Sequence, residues 1–215
     1  DWTMVLRQGL IGRRKAALAA RQRLASDAEA VEFLDCAVET IDAVLALAGR
    51  YAVAAREMGR AELAAILERV PAQPAQTFHE ALQSAWFTQI LNWCETPIVF
   101  AVGPGKVDQY LYPYYENDIR EGRITKPQAQ ELIDCWLMRF SQGVSPFIPQ
   151  AGAAYHMDVG GLKKDGSDAT NALSYLFLEG MMHTRLVEPN FGVLVQSKTP
   201  DEFLRKACEL CVLGT

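Results

Sequence analysis

His156 follows Tyr155 directly and precedes the acid Asp158 by two residues, just ahead of Gly160 and Gly161. An imidazole beside a phenol and a pre-glycine carboxylate is the histidine most suited to line a substrate pocket. The competing reading is a core or rim histidine satisfied by backbone. His79 and His183 fall inside helical patterns, where a packing role is simpler. There is no His-x-x-x-His or mixed Cys/His cluster in the sequence, so no metal centre is expected. Cys36, Cys94, Cys135, Cys208 and Cys211 are odd in number and scattered, which points to reduced thiols and not to a disulfide framework. Cys208-x-x-Cys211 has the spacing of a redox pair, but it lies in a helical pattern with no second pair and is expected to be core packing.

These residues depend on the elements that carry them. From Thr3 to about Val70 the apolar residues recur at three and four, as in Phe33, Leu34, Ala37, Ile41, Val44, Leu45 and Ala48, so long amphipathic helices are predicted. Ser26 and Asp27 can cap the second, with Glu29 in its first turn. The segment 71–76, "PAQPAQ", reads as a linker, and Thr77 with Glu80 forms a capping-box pattern for the next helix. Ile98 to Val102, bounded by Pro97 and "GPG", predicts a short buried strand and a tight turn. The tyrosine-rich stretch from Asp108 to Asp118 predicts a helix with Tyr112, Tyr115 and Ile119 on one face and Tyr110 and Tyr114 roughly opposite. Pro113 belongs near a helix start or a kink. A helix after Thr125, a strand before Gly160, a helix from about Asp168, a strand over Asn190 to Gln196 and a last helix complete the pattern. The last two strand-turn-helix units fit βα repeats of a parallel sheet, so the fold class is helix-rich α/β, with too few strands to close a barrel.

Half of the 215 residues are apolar and the net charge is -5, which describes a soluble globular chain with no nucleic-acid footprint. The small basic cluster Gly12 to Lys15 reads as a solvated helix face. With neither an apolar run of membrane-spanning length nor a signal peptide, a cytoplasmic location is expected. The chain opens without Met and stops at "LCVLGT" without a closing element, so it is expected to be a piece of something longer.

Four blocks, "TFHEALQSAWF", "GKVDQYLYPYYENDIREGRIT", "GGLKKDGSDATNALSYLFLE" and "TPDEFLRKACELCVLGT", together resemble the pyruvate formate-lyase-like domain of glycyl radical enzymes, the group that includes glycerol-dehydrating and choline-cleaving members. The resemblance implies a ten-stranded α/β barrel of two half-barrels, of which this chain would supply the amino-terminal helices and first half-barrel strands. It implies residues 1–70 as a helical layer, 71–76 as a linker and 77–215 as an incomplete first half-barrel region. It also implies a glycyl radical, installed by an S-adenosylmethionine-dependent iron–sulfur activating enzyme, that acts through a cysteine thiyl on a small organic substrate. A homodimer is implied for the full-length form, and no cofactor is bound directly. The tyrosine-rich helix would then be wall or outer layer, with no phenol obliged to do chemistry.

The family's Gly-Cys-x-Glu and Arg-Val-x-Gly-Tyr strings do not occur here, so none of the five cysteines carries over and no catalytic residue is assigned within the chain. Barrel interiors receive alternate side chains of each strand, which makes Glu95, Thr96, Phe100, Tyr155, His156, Asp158, Asn190 and Gln196 the candidate pocket residues. Diol dehydratases of the family show a His-Ser pair just before the "DQY" turn, whereas Phe100 and Ala101 stand there in this chain. An unpaired substrate hydroxyl costs about 1 to 3 kcal/mol, which argues against a standard glycerol dehydratase. Decarboxylase-like, C–S or C–N lyase-like and alkylsuccinate synthase-like chemistries stay open, as does the alternative of an inactive helical scaffold or binding domain that keeps the fold.

Overall fold

The computed structural model describes residues 2–95, 103–142 and 155–214. Two compact units divide the chain, Asp1–Leu91 and Asn92–Thr215.

In the first unit, α1 (Trp2–Arg23), α2 (Ala28–Glu57) and α3 (Ala61–Arg69) pack in sequence and are followed by the start of α4 (Phe78–Glu95). Asp27 caps α2 as its sequence position indicates, with its carboxylate accepting from the Ala30 N–H at 3.1 Å. The core here is built from small residues, Ala48, Ala52, Ala55 and Ala64, closed by Leu67 and Phe87. Short side chains let α2 and α3 approach closely, and the Phe87 ring fills the remaining space edge-on to Tyr51 at 6.0 Å. Phe33 departs from the periodic pattern, since it is 71% exposed. In the first half of α2 two ion pairs, Arg21 to Asp35 and Arg14 to Asp42, bridge it to α1.

The segment 71–76 is hydrogen-bonded along α1. Helix α1 is interrupted at Gly9, whose φ of 65° and ψ of 167° free the following N–H groups. Leu10 N then donates to Pro71 O at 2.8 Å and Ile11 N to Ala72 O at 3.1 Å, while Ala75 N donates to Leu6 O at 3.0 Å. Prolines lack the donor but keep the acceptor, so a proline-rich stretch suits this use. Glu80, nearly buried, secures the far end by accepting from Arg69 Nε at 2.8 Å and Gln76 N at 2.6 Å. Its reciprocal bonds with Thr77, 3.2 Å and 3.4 Å, form the capping box that the sequence shows. Thr77→Ala should destabilise this unit by about 1 kcal/mol, measured as a lower urea midpoint with an unchanged slope.

The second unit contains β1 (Gly105–Lys106), α5 (Val107–Tyr110), α6 (Tyr112–Arg120), α7 (Lys126–Gln142), β2 (His156–Gly160), α8 (Ala172–Thr184), β3 (Asn190–Leu194) and α9 (Asp201–Leu213). The described strands form one parallel sheet in the order β1-β2-β3, with α8 as the connection between β2 and β3. This is the helix-rich α/β arrangement with parallel βα units that the sequence indicates. Met157 and Val159 of β2 are fully buried, as are Ile133, Leu137 and Phe140 of α7 and Leu173, Leu176 and Phe177 of α8. Trp136 stacks edge-on with Phe140 at 4.9 Å and Phe177 at 6.1 Å, locking α7 against α8.

Some expectations change. The tyrosine-rich stretch is two short helices broken at Leu111, with Pro113 in the first turn of the second. Tyr112 and Tyr115 do share a side, their rings 6.3 Å apart, with Tyr115 buried. Helix α8 begins at Ala172 and not near Asp168, because Asn171 takes the cap: its side chain accepts from Leu173 N at 2.9 Å and Ser174 N at 3.3 Å. Cys208 and Cys211 are exposed and not core, because the buried stripe of α9 is Phe203, Ala207 and Leu210, and each cysteine falls one residue past Ala207 or Leu210, off that stripe. The strand expected at Ile98 to Val102 lies outside the described residues.

Candidate functional site

Strand geometry divides the side chains of β2 between two faces. With Met157 and Val159 committed to the core, His156 and Asp158 stand on the opposite face. The parallel register sets His156 beside Asn190, Asp158 beside Gly192, and Lys106 of β1 on the other side of Asp158. His156 Nε2 lies 2.9 Å from Asp158 Oδ1, the imidazole 58% exposed and the carboxylate only 17%. A β-carbon on Gly192 would overlap Asp158 Oδ1 and sit 3.3 Å from His156 Nε2. Glycine at that position therefore leaves the space that the pair occupies. One face of the sheet is apolar and covered, and the other carries Lys106, His156, Asp158 and Asn190.

Buried carboxylates hold β2 at its two ends. At the start, Glu188 Oε2 accepts from Tyr155 N at 3.3 Å and Asn190 N at 3.1 Å, tying the residue just before β2 to the first residue of β3. Its carbonyl also accepts from Ser141 Oγ at 3.0 Å. At the finish, the fully buried Asp108 Oδ2 accepts from Gly160 N at 2.7 Å and Ser174 Oγ at 2.5 Å. Burial pushes the Asp108 carboxyl above its ordinary range, while the Ser174 and Gly160 bonds act in the other direction. Asn171 Nδ2 donates to Asp108 O at 2.9 Å, and Gln109 Nε2 donates to Ala169 O at 2.9 Å. The "DQ" of one block thus clamps the "GG" and "DATN" of another across more than fifty residues of chain. These positioning residues, Asp108, Gln109, Asn171, Ser174 and Glu188, were not among the sequence candidates. The only sequence signal for them is an acid and an amide a few residues after a glycine turn, and a cap-competent Asn three residues before a Ser.

Among the candidates, the structure brings together His156, Asp158 and Asn190. Tyr155 points to the other side: it is 4% exposed and packs edge-on to Phe140 at 6.0 Å. Burial, and secondarily Glu188, push its phenol up, so it stays protonated at neutral pH. Gln196 lies beyond β3, where its Nε2 donates to Asp168 Oδ1 at 3.1 Å and its Oε1 accepts from Lys198 N at 2.6 Å. Glu95 closes α4, and its side chain, with Thr96 and Phe100, lies outside the described residues. Among the described residues no group of three or more His, Cys, Asp or Glu side chains could hold a metal ion. No helix among them is long and apolar enough to cross a membrane.

Comparison with known proteins places this geometry. The family model described as "Pyruvate formate lyase-like" matches residues 1–215. Isethionate sulfite-lyase of Nitratidesulfovibrio vulgaris is 33% identical over 97% of the chain. The glycerol-bound, B12-independent glycerol dehydratase of Clostridium butyricum superposes with a TM-score of 0.89 at 33% identity over 98% of the chain. A glycyl radical enzyme of Archaeoglobus fulgidus superposes with a TM-score of 0.88 at 28% identity, also over 98%. The chain spans only 28% of the sulfite-lyase, 29% of the dehydratase and 30% of the archaeal enzyme.

Proposed function

The chain belongs to the pyruvate formate lyase-like family of glycyl radical enzymes, and we propose that it is the amino-terminal part of a radical lyase that breaks a C–C, C–O, C–N or C–S bond in a small organic substrate. The observation that carries this reading is the two-faced sheet. Helices seal one side, and the other presents a histidine, a carboxylate and an amide in register, as a strand lining an enclosed site requires. In this reading residues 77–215 contribute the first strands of a half-barrel, 1–70 are a helical layer and 71–76 are the linker.

The glycyl radical supplies hydrogen abstraction through a cysteine, and both groups lie outside these 215 residues. What this chain contributes is position and exclusion of water. Asp108 and Glu188 fix the two ends of β2 and the start of β3, the aromatic seam of α7 and α8 keeps solvent from the covered face, and Glu95, Thr96, Phe100, His156, Asp158 and Asn190 are candidates for the substrate side. Tyr155 and Gln196 were candidates too; we assign them to support of that wall. The proposed partners are an S-adenosylmethionine-dependent iron–sulfur activating enzyme and a second copy of the full-length chain, in the cytoplasm.

The test is anaerobic turnover by the full-length enzyme after activation, with isethionate and glycerol offered separately. Because Phe100 and Ala101 stand where a diol site carries polar groups, glycerol dehydration should be at least about tenfold slower than cleavage of a preferred substrate. Glycerol turning over as the better substrate would refute the exclusion of diol chemistry.

A further inference from the structure

We propose that the thiols of Cys208 and Cys211, on the outer face of α9, form a two-sulfur site for a soft monovalent cation of the Cu(I) type. The site goes beyond the lyase reading and stands independently of it, since it uses none of the residues placed on the sheet.

Residues three apart on a helix lie on one side of it, so Cys208 and Cys211 are neighbours. Both are exposed, beside the buried stripe of Phe203, Ala207 and Leu210. The helix that carries them is held in place from below. The Phe203 ring packs edge-on to Tyr175 of α8 at 5.1 Å, and Lys206 Nζ donates to Glu179 Oε1 at 2.7 Å. Cys211 lies in the last turn, which Gly214 closes in the left-handed conformation by donating to Cys211 O at 3.2 Å. A regular helix thus presents the two thiols at a set spacing. Cys36 and Cys135 are exposed too, but they lie apart on α2 and α7.

That spacing decides between the two things a pair of thiols can do. β-Carbons three apart on a helix are about 5–6 Å from each other, whereas a disulfide needs them at about 3.5–4.5 Å. Closing a disulfide would therefore distort the end of α9. A bridging ion asks for less, because two metal–sulfur bonds of about 2.3 Å let the sulfurs stand as much as about 4.6 Å apart. The donor set then selects the ion. Among the described residues no group of three or more His, Cys, Asp or Glu side chains could hold a metal, so the four-ligand shell that zinc takes is not completed here. Leu204, one turn before Cys208 on the same line, and Val212, next to Cys211, are exposed and offer no oxygen to a hard cation. Glu209 is turned about 100° from Cys208 and about 160° from Cys211 round the helix, away from the pair. Two thiolates without an oxygen ligand suit Cu(I), which is soft and satisfied by two ligands. Each thiol releases its proton to water as its copper–sulfur bond forms, so one Cu(I) replaces two protons and no electron moves.

Anaerobic titration of Cu(I), delivered as its bicinchoninate complex, into the full-length, reduced and non-activated protein tests this. Wild type should withdraw one equivalent per chain more than Cys208→Ser/Cys211→Ser. Each single serine variant should hold that equivalent at least about a hundredfold more weakly, because two tethered ligands act together. Cys36→Ser, which removes a thiol of α2, should leave the count unchanged. Equal uptake by wild type and the double variant would overturn the site, and so would a single variant that keeps the tightly held equivalent. Because the radical is absent throughout, failure of the lyase reading would appear separately, as an activated enzyme without a radical.

Discussion

Asp108→Ala is expected to lower the stability of the unit Asn92–Thr215 by about 3 kcal/mol, because it strips the acceptor from two buried donors, Gly160 N and Ser174 Oγ, at once. The loss extends past the bonds themselves. Gly160 ends β2, and Ser174 lies in the first turn of α8, so the aspartate joins the strand to the helix that follows it. Asp108→Asn keeps an oxygen acceptor of nearly the same shape and should cost far less. The two variants together separate lost hydrogen bonding from lost volume.

The pH dependence of this site has a definite sign. Burial raises the Asp108 pKa in the folded state, so folding takes up a proton between the ordinary carboxylate range and the raised value. Its contribution is fully present below the unfolded value and is lost as pH rises through the folded one. The stability advantage of wild type over Asp108→Asn should therefore shrink with rising pH across that window. Urea unfolding at a series of pH values measures it, and an advantage that grows with pH would mean that hydrogen bonds to the anion outweigh its desolvation.

Gly9→Ala is the second large effect, in the unit Asp1–Leu91. At φ 65° an L-residue is already disfavoured, and here a β-carbon would also overlap the backbone carbonyl of Ala72, which cannot turn aside as a side chain can. The segment 71–76 would have to leave α1, taking with it the bonds to Leu10, Ile11 and Leu6. The expected loss is roughly 3 kcal/mol or more. Amide hydrogen exchange gives a specific readout: Leu10, Ile11 and Ala75 should lose protection, while α3 keeps its own. Protection unchanged at all three would show that the segment does not depend on Gly9 for its place.

These two positions also show where sequence reading stops. Local chemistry was legible: Asp27 before α2, Thr77 with Glu80, and the parallel βα units are all signalled within a few residues of chain. Thr125 and Gln128 repeat the capping logic at α7. The Asp108 clamp spans fifty-two residues to Gly160 and sixty-six to Ser174, and no periodicity encodes a contact of that separation. Gly9 sits in an unbroken helical pattern, and only the distant carbonyls of 71 and 72 explain why the helix opens there. Phe33, Cys208 and Cys211 were misread for a related reason: periodicity says which residues can share a face, but not whether another element covers it. Alternation along the strands places positions 156, 158 and 190 on one face of the sheet, while Tyr155 could be separated from them only once the buried face of β2 was known.

The central claim is that this chain is part of a glycyl radical lyase. The most direct measurement is electron paramagnetic resonance of the full-length protein after anaerobic incubation with its S-adenosylmethionine-dependent activating enzyme. The account predicts the doublet of a glycyl radical, lost when the protein is exposed to oxygen. A protein that is folded, complete and incubated with a competent activating enzyme, yet shows no radical, would contradict it and leave a scaffold that has kept the fold without the chemistry.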